Sequence, residues 1–183
     1  MSNFSASFWN VVRTPDPPEL GPGPRPGVLP LAGLAGCLDA WAEGRGLTER
    51  ARLRLRAVAY LHHDHADAAH DLVQDLTDAD GALIHAILHR REPDFWNAKY
   101  WFRRVENHPI FGPLTLRLTA LSAAGSPDGL RDRLTLAGAV DPVAMVEAVE
   151  AVARRPDSDP EVLFLRHLQL AETECLVGHL TGD

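Results

Sequence analysis

Residues 76–109 read LTDADGALIHAILHRREPDFWNAKYWFRRVENHP, and two helices can be marked on them from punctuation alone. Asp78 offers a side-chain acceptor for a helix start, and Pro93 ends that helix near Arg91 or Glu92, because a residue before proline avoids helical backbone angles. Asp94 caps the next helix, in which Phe95, Ala98, Trp101, Phe102 and Val105 share one face, and His108-Pro109 closes it.

The same grammar extends outward. Upstream, a helix is expected from about Leu31 to Glu43, stopped by Gly44 and Gly46. Another follows Thr48, with Arg50, Arg52, Arg54 and Arg56 turned largely to water, and a break near Asp64 precedes a short helix ending near Asp75. Downstream, helices are expected across Leu114 to Ala123, after Pro127, after Asp141-Pro142 and after Asp159-Pro160. No run shows the strict alternation of a half-buried strand. The expected fold is all-α, a compact multi-helix bundle of about seven to eight helices.

Seven of the fourteen prolines fall between Pro15 and Pro30, a density that excludes helix interiors and sheet centres. Residues 1–30 are therefore expected to form an extended Pro-rich arm, and residues 31–183 a single helical domain. Phe4, Phe8 and Trp9 on that arm point to docking on the body or to a homodimer.

At 183 residues and 45% hydrophobic content the chain can bury the core of one ordinary domain. A net charge of -7 argues against a general binder of nucleic acid or of an anionic membrane surface, so neither is expected as a partner, and a small, neutral or locally anionic ligand stays open. No segment reads as a secretory signal or a membrane span, which gives a cytoplasmic expectation. Cys37 and Cys175 make no disulfide framework.

The polar chemistry is concentrated between His62 and His108, which hold seven of the nine histidines and the only lysine, Lys99. At 100° per residue, Glu92, His85, Asp78 and His89 fall in one stripe about 60° wide. On the preceding helix Asp67, His70 and Gln74 lie side by side. A short connection packs these helices antiparallel, bringing His70 level with His85, and His63 or Asp67 level with His89 and Glu92. Imidazole and carboxylate ligands on facing helices suit a divalent metal such as zinc, iron or manganese, with His70, His85, His89 and Glu92 as the expected ligands. Asp67 or Asp71 would then act as base. The competing reading is a polar seam whose imidazoles bond one another and nearby carboxylates.

On the helix after Asp94, Asn97, Tyr100 and Arg104 form a shoulder beside Trp101, and directional donors against an aromatic wall resemble a small-molecule site. Arg90 and Arg91 arrive from the preceding helix, so Arg90 or Arg104 could orient an anionic substrate, with Gln74, Arg91, Asn97, Tyr100, Trp101 and His108 completing the ligand contacts. Alternatively Arg90, Arg91 and Arg104 pair internally with Glu92, Asp94 and Asp75.

The string HRREPDFWNAKYWFRRVENHPIF, residues 89–111, with the upstream AHDLVQD and IHAILH, resembles the signature of a largely uncharacterised family of helical proteins from bacteria and fungi. The resemblance implies that His70, Gln74, His85, His89, Arg90, Arg91, Glu92, Asn97, Lys99, Tyr100, Trp101, Arg104 and His108 belong to the motif, and it implies no reaction. Three functions follow from the residues: a metal-dependent enzyme acting on a small molecule, a binding module for a small anionic or aromatic ligand, or a structural protein whose His/Arg network specifies the bundle.

Overall fold

A computed structural model describes residues 4–183, and the first three residues of the expected arm lie outside it. Ten helices are present in the described residues: α1 (Phe4–Val12), α2 (Leu31–Ala42), α3 (Glu49–His62), α4 (Ala66–Val73), α5 (Ala79–Arg91), α6 (Phe95–Val105), α7 (Phe111–Ala124), α8 (Leu130–Arg133), α9 (Pro142–Val152) and α10 (Pro160–Thr181). The all-α expectation holds, with more helices than the seven or eight read from the sequence. None is long and apolar enough to cross a membrane.

The capping residues do what their chemistry predicts. Thr48, Asp78, Asp94, Asp141 and Asp159 each accept a backbone N–H in the first turn of α3, α5, α6, α9 and α10. One small strand pair was not expected. Thr135–Leu136 (β1) and Ala139–Val140 (β2) pair antiparallel through Ala137 and Gly138, both at positive φ, which is the geometry of a two-residue hairpin. Two residues per strand are too few to show alternation.

Two apolar clusters make the core. One gathers α1 to α6 around Phe8, Leu34, Leu83, Ile84 and Phe102, and the other gathers α7 to α9 around Leu114, Leu118, Met145 and Val149. Helix α10 spans about 33 Å and serves both, through Leu165 and Leu168 in the second cluster and Leu176 and Val177 in the first.

Helix α5 has no solvent face beyond its first turn. Every residue from Gly81 to Arg91 is buried, so the stripe of His85 and His89 does not border solvent along the helix but sits between α5 and its neighbours. A helix covered on all sides must satisfy its polar side chains from other elements, and that requirement shapes the site.

The N-terminal segment also differs from the expected arm. Residues 4–12 are helical, and Phe8 and Val12 are wholly buried in the first cluster, Phe8 lying edge-on to Trp41 at 5.3 Å. Residues 13–30 have no regular secondary structure but run across the body as a strap, so Phe8, one of the aromatics that pointed to a dimer contact, is spent inside its own chain. Its anchor is the break between α3 and α4. Asp64 takes a positive φ of 63° there and turns its carboxylate inward to Arg25.

Candidate functional site

The polar residues of 62–108 fall into four groups, three of which are structural. The first is the strap anchor. Asp64 accepts from Nη1 and the backbone N–H of Arg25 at 2.5 and 2.9 Å and from Nη2 of Arg91 at 2.6 Å. Burial pushes its carboxyl up, but the hydrogen bonds and charges of Arg91 and Arg25 outweigh that and hold it below the usual range. His62 bonds the Thr14 hydroxyl, and burial followed by the Arg25 charge lowers its pKa to about 3. His63 accepts from the Leu29 N–H at Nδ1 and reaches the Val12 carbonyl through Nε2, while His65 reaches the Leu29 carbonyl. Of the two residues offered as level with His89, His63 or Asp67, His63 does not join the histidine stripe, because both of its nitrogens hold the strap.

The second group is made by the two adjacent arginines. Arg90 is fully buried and paired with Glu172 of α10, beside the Gln169 amide, with its guanidinium over Phe102. Arg91 donates to Asp64 and to the Leu61, Glu19 and Gly21 carbonyls. Neither is free to orient a substrate, so Arg90 as a catalytic residue and Arg91 as a ligand contact are corrected to internal supports. Their partners are not Glu92, Asp94 or Asp75 but residues distant in sequence.

The third group joins Asp80, His108, His179 and Arg54. Oδ1 of Asp80 accepts from Nε2 of His108 and of His179, each at 2.9 Å, and Oδ2 pairs with Arg54 at 2.6 Å. The His108 bond, ahead of the Arg54 charge, holds the Asp80 carboxyl low despite partial burial. Among the described residues this is the set of three whose ligand atoms all lie within 4.8 Å of one another. Its hydrogen bonds argue against a metal. Nδ1 of His108 accepts from the Ile110 N–H at 3.3 Å, so Nε2 carries the proton and has no lone pair for an ion. His108 as a ligand contact is therefore corrected to a tie between α5 and the end of α6, and Arg54, expected in water, is half-buried in the same knot.

The fourth group is the site. His70 of α4 meets His85 and His89 of α5 with ring centroids 5.3 and 5.8 Å apart, and His85 lies 5.9 Å from His89 with the rings nearly parallel. His85 also stacks on Trp101 of α6 at 4.4 Å and 9°. Its Nδ1 is buried without a hydrogen-bond partner of normal geometry, and burial, then the nearness of His70 and His89, lowers its pKa to about 4. His89 is held at both nitrogens, by Glu92 Oε2 at 3.1 Å on Nδ1 and by the Asn97 amide at 3.2 Å on Nε2. A carboxylate only accepts, so Nδ1 carries the proton and Nε2 the lone pair. Glu92 thus touches His89 instead of standing beside it as a fourth ligand. The three imidazoles are neighbours, but their nitrogens are not drawn to one point.

Tyr100 and Arg104 continue this wall along α6, with the guanidinium 5.6 Å from the Tyr100 ring centre and 5.7 Å from that of Trp101. Glu92 and Asp67 line an open groove of about 440 Å³ whose other wall is the strap at Pro22, Gly23 and Pro24. Asp71 and Gln74 are exposed, the Gln74 amide reaching only the Asp71 carbonyl, and Lys99 pairs with Glu150.

Sequence reading missed Arg25, Asp64, Asp80, Glu172 and His179 as members of these networks. Each is joined to its partner across a long stretch of chain, and no spacing rule reports such a pairing. Trp96 of α6 was not marked for the site either. The fold and site define an all-helical protein with a three-histidine cluster walled by aromatic residues. No model of a known protein family matches the chain, and neither a curated protein nor a solved structure is significantly similar to it.

Proposed function

We propose that the chain is a small-molecule enzyme whose reacting centre is the cluster of His70, His85 and His89, the imidazoles taking a divalent metal ion of the zinc, iron or manganese kind. The observation that carries this reading is the contact of three imidazoles with no hydrogen bond among them. Histidines that merely fill a polar seam bond one another or nearby carboxylates. Here the buried Nδ1 of His85 bonds neither an imidazole nor a carboxylate, the Gly81 carbonyl one turn back being the polar group near its ring, and an electron-pair acceptor would engage the cluster.

Glu92 supports the reading in a role other than ligand. A carboxylate on Nδ1 fixes the tautomer of His89 and leaves the lone pair on Nε2, as carboxylates do behind metal-bound imidazoles. An ion at this point would polarise a substrate oxygen or activate water. Asp67, on the groove that Glu92 also lines, would exchange a proton with a molecule bound there, and Asp71 lies one turn further along α4. Because His70, His85, His89 and Glu92 all lie within the motif segments 69–75, 84–89 and 89–111, we also read the resemblance of those segments to a helical family as a mark of the site.

To hold an ion, the nitrogens of His70, His85 and His89 would have to draw together and the Asn97 amide would have to leave Nε2 of His89. Equilibrium dialysis of untagged protein against zinc, followed by metal analysis, is expected to give one equivalent. His85→Ala and His89→Ala are expected to weaken it at least tenfold, whereas Asn97→Ala tightens it. Unchanged retention of zinc in both histidine variants would sink the proposal.

A further inference from the structure

Helix α6 carries a second feature on the same wall. Trp96 is 77% exposed and Tyr100 42%, and their rings lie parallel, 6.2 Å apart. Large aromatic surfaces at that exposure are unfavourable in water unless something covers them. Arg104 completes the row at the next turn. Its guanidinium rests over Tyr100 and Trp101, donates to the Tyr100 hydroxyl at 3.3 Å, and has no carboxylate within ion-pairing distance among the described residues.

The spacing explains the shape. Residues 96, 100 and 104 repeat every four positions and line one side of α6, while 97 and 101 lie alongside and touch the histidines. Asn97 contacts His89 and Trp101 stacks on His85. The ledge is therefore continuous with the reacting centre. In a chain of net charge -7, a guanidinium held on two rings without a counter-charge is a local site for an anion. Flat π faces beside it select a flat partner.

We infer that Trp96, Tyr100, Trp101 and Arg104 form the recognition wall for a planar aromatic anion, an aryl carboxylate or aryl phosphate. The inference rests on the proposed function only in calling that molecule a substrate; the binding itself does not require the metal. The aromatic group covers Trp96 and Tyr100, and its anionic group pairs with Arg104.

The test uses the full-length protein stripped of metal, titrated calorimetrically with 2-naphthoate and with 2-naphthyl phosphate. Binding of at least one is expected, and whichever binds more tightly identifies the anion. Cyclohexanecarboxylate, which lacks the flat ring, and 2-naphthalenemethanol, which lacks the charge, are expected to bind about tenfold or more weakly. Trp96→Ala and Arg104→Gln alter exposed side chains, keep the fold, and each weakens the aryl anion by about tenfold. Equal binding of cyclohexanecarboxylate, or indifference to Arg104→Gln, overturns the inference. Self-association that Trp96→Ala abolishes would assign the ledge to a second copy and also overturn it. Zinc retention without aryl-anion binding sinks this inference alone, and aryl-anion binding without zinc retention sinks only the metal centre.

Discussion

A guanidinium with no water around it needs a counter-charge, and at Arg90 the chain brings it from 82 residues away, in Glu172. Both side chains are fully buried. Breaking such a pair from one side leaves an uncompensated buried charge, so Arg90→Met is expected to cost about 3–5 kcal/mol. Replacing both partners, Arg90→Met with Glu172→Leu, should recover much of that loss. Urea unfolding of the three proteins checks this, and a double variant as unstable as the single one would contradict the assignment. The neighbouring Arg104 is exposed and rests on aromatic rings, although it looks equally basic in sequence. What separates the two roles is the burial of α5 on all sides, which periodicity did not reveal because His85, His89, Arg90 and Arg91 interrupt its apolar pattern.

At the scale of elements, helix boundaries were legible where a side chain enforces them. Thr48, Asp78, Asp94, Asp141 and Asp159 cap the helices they were expected to cap. The first nine described residues were misread as extended because proline density dominates the segment that follows, whereas Phe8 and Val12, four apart, form the buried face of α1. The strap from 13 to 30 depends on Asp64. Two guanidinium groups meet that one carboxylate, so Asp64→Asn is expected to lower stability by about 3 kcal/mol and to open the strap to protease before the helices are cut. Mass spectrometry of the earliest fragments decides it, and first cuts elsewhere would argue against the anchor. Gly23 bears on the same contact. A Cβ at its φ of 80° would lie 2.6 Å from the Asp64 carboxylate, so Gly23→Ala should weaken the strap as well. The pairing of His70 with His85 across α4 and α5 was legible from helix geometry and a short turn. The nearness of Trp101 was not, because it depends on how α6 folds back on α5.

Over the whole molecule the buried histidines and aspartates with shifted protonation act in one direction. An unfolded histidine takes a proton near pH 6.5, but His62 in the fold does so only at about 3. The unfolded chain therefore binds more protons across that window, and stability falls as pH falls, by about 1.4 kcal/mol per unit for this one group. Asp64 and Asp80, both held low, add their loss at still lower pH, when the folded carboxylates are finally protonated. The urea midpoint is expected to drop between pH 7.5 and 5, and a flat profile would contradict the burial of His62. These networks fix the frame around the histidine cluster, which the proposed chemistry requires.

X-ray absorption on zinc-loaded, untagged protein reads the ligands of the proposed metal centre. Three imidazole nitrogens are expected at about 2.0–2.1 Å, a signature lost in His85→Ala and kept in His179→Ala. Oxygen-only coordination, or a signature that survives His85→Ala and disappears in His179→Ala, would contradict it.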